Sequence, residues 1–261
     1  MIVSPEKPSH WYLPNGTPFH EVERVDGKGM RPTTIRDARK VGAFPSVTNI
    51  LDVLRKPALE AWKIEQGILA ALTLPRQPDE TDDAFAKRVA QDADAYSKSA
   101  MDLGTQVHAA CEMWLLEKMM PAEEKIESLT KPFRVWADEN IKNLKIVETV
   151  LIGNGYGGKV DLVADVKDVG LTVIDLKTQN VKNGKVNYYE TWPLQLEAYR
   201  RACKKIKAKS IASLVISSSE PMPVAFRVWS KEDYPMYWKV FQSIFEAWKY
   251  MKDYNPIEKE K

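Results

Sequence analysis

Cysteine is scarce in this 261-residue chain: only Cys111 and Cys203 occur. Two thiols cannot make a four-cysteine zinc or iron–sulfur centre, so no iron–sulfur cluster is expected. Histidine is limited to His10, His20 and His108, and the absence of an HExxH pair excludes that zinc-protease pattern. No run of eighteen apolar residues exists, which leaves no candidate transmembrane helix. The opening MIVSPEKPSHWYLPNG lacks a basic segment followed by an apolar one. The expectation is a cytoplasmic protein with no membrane partner. An excess of one charge sign is lacking too: 38 basic and 36 acidic residues give a net charge of +2, so attraction for a polyanion has to come from local patches. With 44% apolar and 28% charged residues, the chain has the composition of an ordinary globular protein.

Two kinds of pattern are present. Residues 1–45 read as irregular, with short strands around Phe19–Arg24. Ser46 stands where a helix N-cap would, and predicts a helix over 46–56. Pro57 can start a second helix that runs to the break at Pro75. From Thr81 to Met119 the spacing predicts one long helix, or two joined near Gly104, and another helix is expected over Lys131–Leu144. At Ile146 the pattern turns to β: KIVETVLIG, GKVDLVADV and GLTVIDLKT read as a meander of three strands. A helix over Trp192–Lys207, a strand at IASLVIS, a strand near Val224–Trp229 and a closing helix over 232–253 complete the chain. One composite domain is expected, with a helical elaboration over 1–103 and a core over 104–261.

The third strand carries unusual charge. Asp175 and Lys177 lie two apart and share one face of the sheet. Asp161 in the second strand joins them if the register is right, since cross-strand neighbours approach to about 5 Å. Two carboxylates that close invite Mg²⁺ or Mn²⁺, one or two ions, and the carbonyl of Leu176 between them offers a further ligand. Lys177 could then stabilise charge that develops on a phosphate. An exposed strand ion pair of little value is the plainer account. The flanking Val173, Ile174 and Leu176 argue against it, because they describe a central, buried strand. Gln195 and Tyr199, four apart, share a helix face, as do His108 and Glu112; each pair has a packing explanation as well.

The motifs GTQVH at 104–108, Glu148 in the first strand, GKVD at 158–161, IDLKT at 174–178 and QLEAY at 195–199 together resemble the PD-(D/E)XK nuclease superfamily, in particular its RecB-like branch. WPLQLEAYRRA and FPSVTNIL also resemble mitochondrial genome maintenance exonucleases and related phage exonucleases. The resemblance implies an α/β fold with a restriction-endonuclease-like αβββαβ core, a mixed central sheet and a largely helical N-terminal elaboration. It implies His108, Asp161 and Asp175 as metal ligands, Lys177 as catalytic lysine, Gln195 and Tyr199 as a supporting pair, and Glu148 as a helper. The expected activity is metal-dependent DNA exonuclease action from free ends, with single strands favoured, in replication, recombination or repair in a bacterial or phage-infected cell. A structure-specific endonuclease and a catalytically inactive DNA-binding protein are the alternatives.

DNA contacts have two candidate surfaces. Over 195–210, Arg200, Arg201, Lys204, Lys205, Lys207 and Lys209 stand against one acid, Glu197. The segment after the third strand combines Lys182 and Lys185 with Tyr188, Tyr189 and Trp192, a composition suited to stacking on unpaired bases. A solvated helix face and an aromatic cap on the core explain these features equally well.

Overall fold

The structure, a computed structural model, describes residues 10–181 and 183–258. Its centre is a five-stranded mixed sheet in the order β5-β6-β7-β8-β9, from β5 (Ile141–Ile152), β6 (Gly157–Val166), β7 (Gly170–Gln179), β8 (Ser210–Ser217) and β9 (Ala225–Val228). Neighbours are antiparallel except β7 and β8, which run parallel. A parallel pair needs a crossover, supplied here by α6 (Thr191–Ala202). Every residue of β8 is buried, as expected of a strand covered on both faces.

Helices cover both faces. On one side α4 (Asp82–Glu117) and α5 (Glu124–Asn140) pack Val107, Cys111, Ile126 and Phe133 against Leu162, Ile174, Leu214 and Ile216. On the other, α2 (Val47–Leu51), α6 and α7 (Tyr234–Lys252) pack Val47, Ile50, Leu196, Phe241 and Trp248 against Val163, Val173, Ile211 and Val215. The short strands β1 (Trp11–Tyr12) and β4 (Phe44–Pro45) pair with each other, and Trp11 packs in that second layer against Trp248. Along the chain the restriction-endonuclease-like order α–β–β–β–α–β appears as α4, β5, β6, β7, α6 and β8, with α5 placed between α4 and β5.

Several expected boundaries shift. The N-terminal segment holds β2 (Glu21–Glu23) and β3 (Met30–Pro32), near the expected short strands, and an unexpected helix α1 (Ile35–Val41). Thr34 and Asp37 form a capping box that starts α1, a signal present in the sequence. The Ser46 cap is real, its hydroxyl accepting from Asn49 N, but the helix ends at Leu51 rather than 56. α3 (Pro57–Thr73) starts at its proline as expected. Residues 82–117 form one helix that passes through Gly104 without a break. α5 begins at Glu124 rather than Lys131 and carries Pro132 inside; Leu144 belongs to β5. α6 stops at Ala202, and the basic residues 204–209 lie outside it.

Candidate active site

Three adjacent strands each deliver one carboxylate. The pairs Val147–Leu162 and Thr149–Val160 set Glu148 opposite Asp161, and the last pair of β6 with β7, Leu162–Ile174, sets Asp161 opposite Asp175. Residues directly opposed share a face, so Glu148, Asp161 and Asp175 form a row across β5, β6 and β7. The β6–β7 ladder ends at this row. There the Leu176 N–H donates to Asp161 Oδ2 at 2.7 Å, in place of a main-chain partner. A strand residue directs its N–H and C=O to the same side, so the Leu176 carbonyl also faces this gap. Glu148 sits at φ 45°, an irregularity in β5 that marks the row as locally strained.

His108 reaches the row from α4. Its ring nitrogen and the carboxylate oxygens of Glu148 and Asp161 all lie within 4.8 Å of one another. Gly104, one turn earlier on the same helix face, permits this: a Cβ there would stand 2.9 Å from Thr178 Oγ1 on β7. Glycine therefore lets α4 approach the sheet closely.

From the opposite layer α6 brings Gln195 and Tyr199. Gln195 Nε2 donates to Asp175 Oδ1 at 2.9 Å and lies 3.2 Å from the Tyr199 hydroxyl, while Gln195 Oε1 accepts from Lys177 Nζ at 3.3 Å. Lys177 Nζ pairs with Asp175 Oδ2 at 2.7 Å and stands 5.9 Å from the Trp192 ring centre. Gly158 makes room for the tyrosine, since a Cβ there would meet Tyr199 Cε1 at 2.5 Å. The glycines of two sequence motifs thus serve the site by close packing.

Electrostatics describe a site short of positive charge. Burial, then the neighbouring Asp175, pushes the Asp161 carboxyl well above the usual carboxylate range. Burial alone would lower the Lys177 ammonium, but Asp175 and Asp161 outweigh it and hold it above its ordinary value. Burial lowers His108, leaving a neutral imidazole with a free lone pair at neutral pH. Burial, with Asp175, raises the Tyr199 phenol well above its ordinary value, so it stays protonated. Asp175 Oδ2 is buried and, its ion pair with Lys177 apart, accepts no well-directed hydrogen bond. Two carboxylates and a neutral imidazole around one point, next to a buried carboxylate oxygen with spare capacity, fit a divalent cation.

Other expected residues fall elsewhere. Glu112 stands outside the group around His108, and its charge acts on Lys159 instead. Arg200 and Arg201 both bond Glu197, which is fully buried, at 2.6 to 2.9 Å. Their rings of contact are Tyr234 and Trp238, so these guanidiniums are engaged within the fold. Trp192 is buried at 8% exposure and Tyr188 packs edge-on to it and to Trp229, as an aromatic cap on the core would. Tyr189, Lys185 and Lys204 remain exposed, and Lys182 lies outside the described residues. Lys159, quoted in GKVD without a role, forms an ion pair with Glu148; its place two residues before Asp161 was the available signal.

A family model of the PD-(D/E)XK nuclease superfamily matches residues 74–233. No curated protein matches the chain. A solved structure described as "Crystal structure of SSO0001" aligns over 72% of this chain and 86% of its own, at 10% identity and a TM-score of 0.28. That likeness is too slight to carry an argument.

Proposed function

The chain belongs to the PD-(D/E)XK nuclease superfamily, and from that premise we propose that it is an Mg²⁺- or Mn²⁺-dependent DNA exonuclease whose centre is the row Glu148, Asp161 and Asp175. The observation that carries this reading is the convergence of the row with His108 and Lys177 at the open end of the β6–β7 ladder. His108, Glu148, Asp161, Asp175 and the Leu176 carbonyl would hold one or two divalent ions, which would neutralise a phosphate and acidify water.

The chain's own groups do the rest. Lys177 keeps its proton under two carboxylates and places a fixed positive charge where phosphate charge grows in the transition state. Gln195 fixes Asp175 and Lys177 at once, which orients the carboxylate oxygen that lacks a directed partner. Tyr199 braces Gln195 from behind as a neutral phenol. The surrounding layers exclude water from Asp175 and strengthen each of these interactions.

Action from free, single-stranded ends rests on the resemblance and on architecture. α3 and the first half of α4 form a hairpin that leads directly to His108. From Asp82 to His108 the helix extends about 39 Å at 1.5 Å per residue, long enough to wall one side of the centre. Lys185, Tyr189, Lys204, Lys205, Lys207 and Lys209 are exposed and offer contacts to the strand. The alternative is a structure-specific endonuclease. End-labelled linear DNA and a closed single-stranded circle decide between them: mononucleotide or short products from the linear substrate and an intact circle are expected. Rapid cleavage of the circle would overturn the end requirement, and indifference to chelation of divalent ions would overturn the nuclease assignment.

A further inference from the structure

Lys159 is the feature that the proposed chemistry leaves unused. It lies on β6 two residues before Asp161, and its ammonium forms an ion pair with Glu148. The two side chains differ in access: Lys159 is 52% exposed, while Glu148 is 12% exposed. A half-exposed cation therefore holds a nearly buried carboxylate of the metal group. His10 and His20, stacked at 4.7 Å, feel the charge of Lys159, and burial keeps both imidazoles below their ordinary pKa. Being neutral at neutral pH, they do not compete with it for an anion.

The donor atoms of His108, Glu148 and Asp161 all lie within 4.8 Å of one another. Glu148 is the member of this group tied to Lys159, and it is held at φ 45°, so a cation that draws on its carboxylate competes with the ammonium for the same oxygens.

We propose that Lys159 is a phosphate-binding residue for the DNA backbone, kept occupied by Glu148 until a divalent cation takes that carboxylate. This rests on the reading of the site as a metal-dependent nuclease. It orders the events: the ion binds, Glu148 turns to it, and the freed ammonium meets the strand at the mouth of the site. Without the ion, Lys159 neutralises Glu148 and the protein holds DNA weakly.

The test uses the full chain and binding rather than turnover. Mn²⁺ is titrated by calorimetry into the wild type and Lys159→Met, whose apolar stem preserves packing. Binding of a labelled single-stranded oligonucleotide is followed by anisotropy with EDTA and with Ca²⁺. Lys159→Met is expected to bind Mn²⁺ several-fold more tightly, because its competitor for Glu148 is gone. It is also expected to lose the Ca²⁺-dependent gain in DNA affinity, with a salt slope lower by about one. Glu148→Gln is expected to bind DNA more tightly without metal, and the double variant Glu148→Gln/Lys159→Met to lose that gain. Weaker Mn²⁺ binding by Lys159→Met, or a metal-dependent gain in DNA affinity equal to the wild type's, would overturn the proposal and leave the nuclease reading standing. A wild type that binds no Mn²⁺ would overturn both.

Discussion

Helices α6 and α3 make opposite use of their residues. In α6, nine of twelve residues are buried, among them Gln195, Glu197 and Tyr199. In α3, with seventeen residues, only Ala70 is buried, and Ile64, Ile68 and Leu72 stand 54% or more exposed. Packing fixes α6 from every side, which is what a side chain needs if it is to hold Asp175 to within a hydrogen bond. Within the hairpin Trp62 packs against Tyr96, and the Glu80–Arg88 pair ties the connecting turn to α4. Precision is concentrated around the sheet, and the hairpin has little buried surface to restrain it.

The largest effect that would sharpen this contrast is in the core. Leu196→Ala, at a site with no exposure, is expected to cost about 2–5 kcal/mol in unfolding free energy. Leu72→Ala, 77% exposed, is expected to stay within about 0.5 kcal/mol. Urea titrations of the two variants that gave equal losses would break the comparison.

Next is Gly158→Ala, which forces a methyl against the Tyr199 ring. Overpacking of about 1–3 kcal/mol is expected, with a larger proportional loss of nuclease activity than of stability. Activity at the wild-type level in a folded Gly158→Ala protein would show that the position of Tyr199 does not matter.

Asp161→Asn tests the charge shortage. An acid whose folded pKa is raised favours the neutral form, so its stabilising contribution is complete below the ordinary carboxylate value and is lost as pH rises through the raised one. The metal-free wild type should therefore lose melting temperature as pH rises toward neutrality. Asp161→Asn should lose less, and should melt higher than the wild type at pH 7 in EDTA. A lower melting point for the variant would contradict the electrostatic account.

The smallest effect lies in the hairpin. The Arg88 guanidinium, by its hydrogen bonds, holds Glu80 down to about 2. A depressed carboxylate stabilises above its unfolded pKa, and that support is lost as pH falls through about 2. Protease nicking within residues 74–81 should therefore be faster in Glu80→Gln than in the wild type at neutral pH. Equal rates would mean that the pair does not hold the hairpin.

The strands and their chemistry were legible because β-branched runs and the Asp175–Lys177 spacing are local signals. The row itself was not, since nothing local to Asp161 encodes the Leu162–Ile174 pairing that aligns it. Glu148 was legible only through resemblance, because its φ of 45° and its approach to His108 depend on the twist of three strands. The basic segment 195–210 contains one acid, Glu197, and its burial was not legible: that acid takes both arginines. The onset of α5 at Glu124 lies before the expected Lys131, and the helix carries Pro132 inside.

The central claim is that the carboxylate row and Lys177 form one metal-dependent catalytic centre. It is tested most directly by following degradation of end-labelled single-stranded DNA in Mn²⁺ by the wild type and by Lys177→Ala, both confirmed folded. The account predicts degradation by the wild type that EDTA abolishes, and a rate for Lys177→Ala lower by about 10²–10³. Undiminished degradation by Lys177→Ala would contradict it.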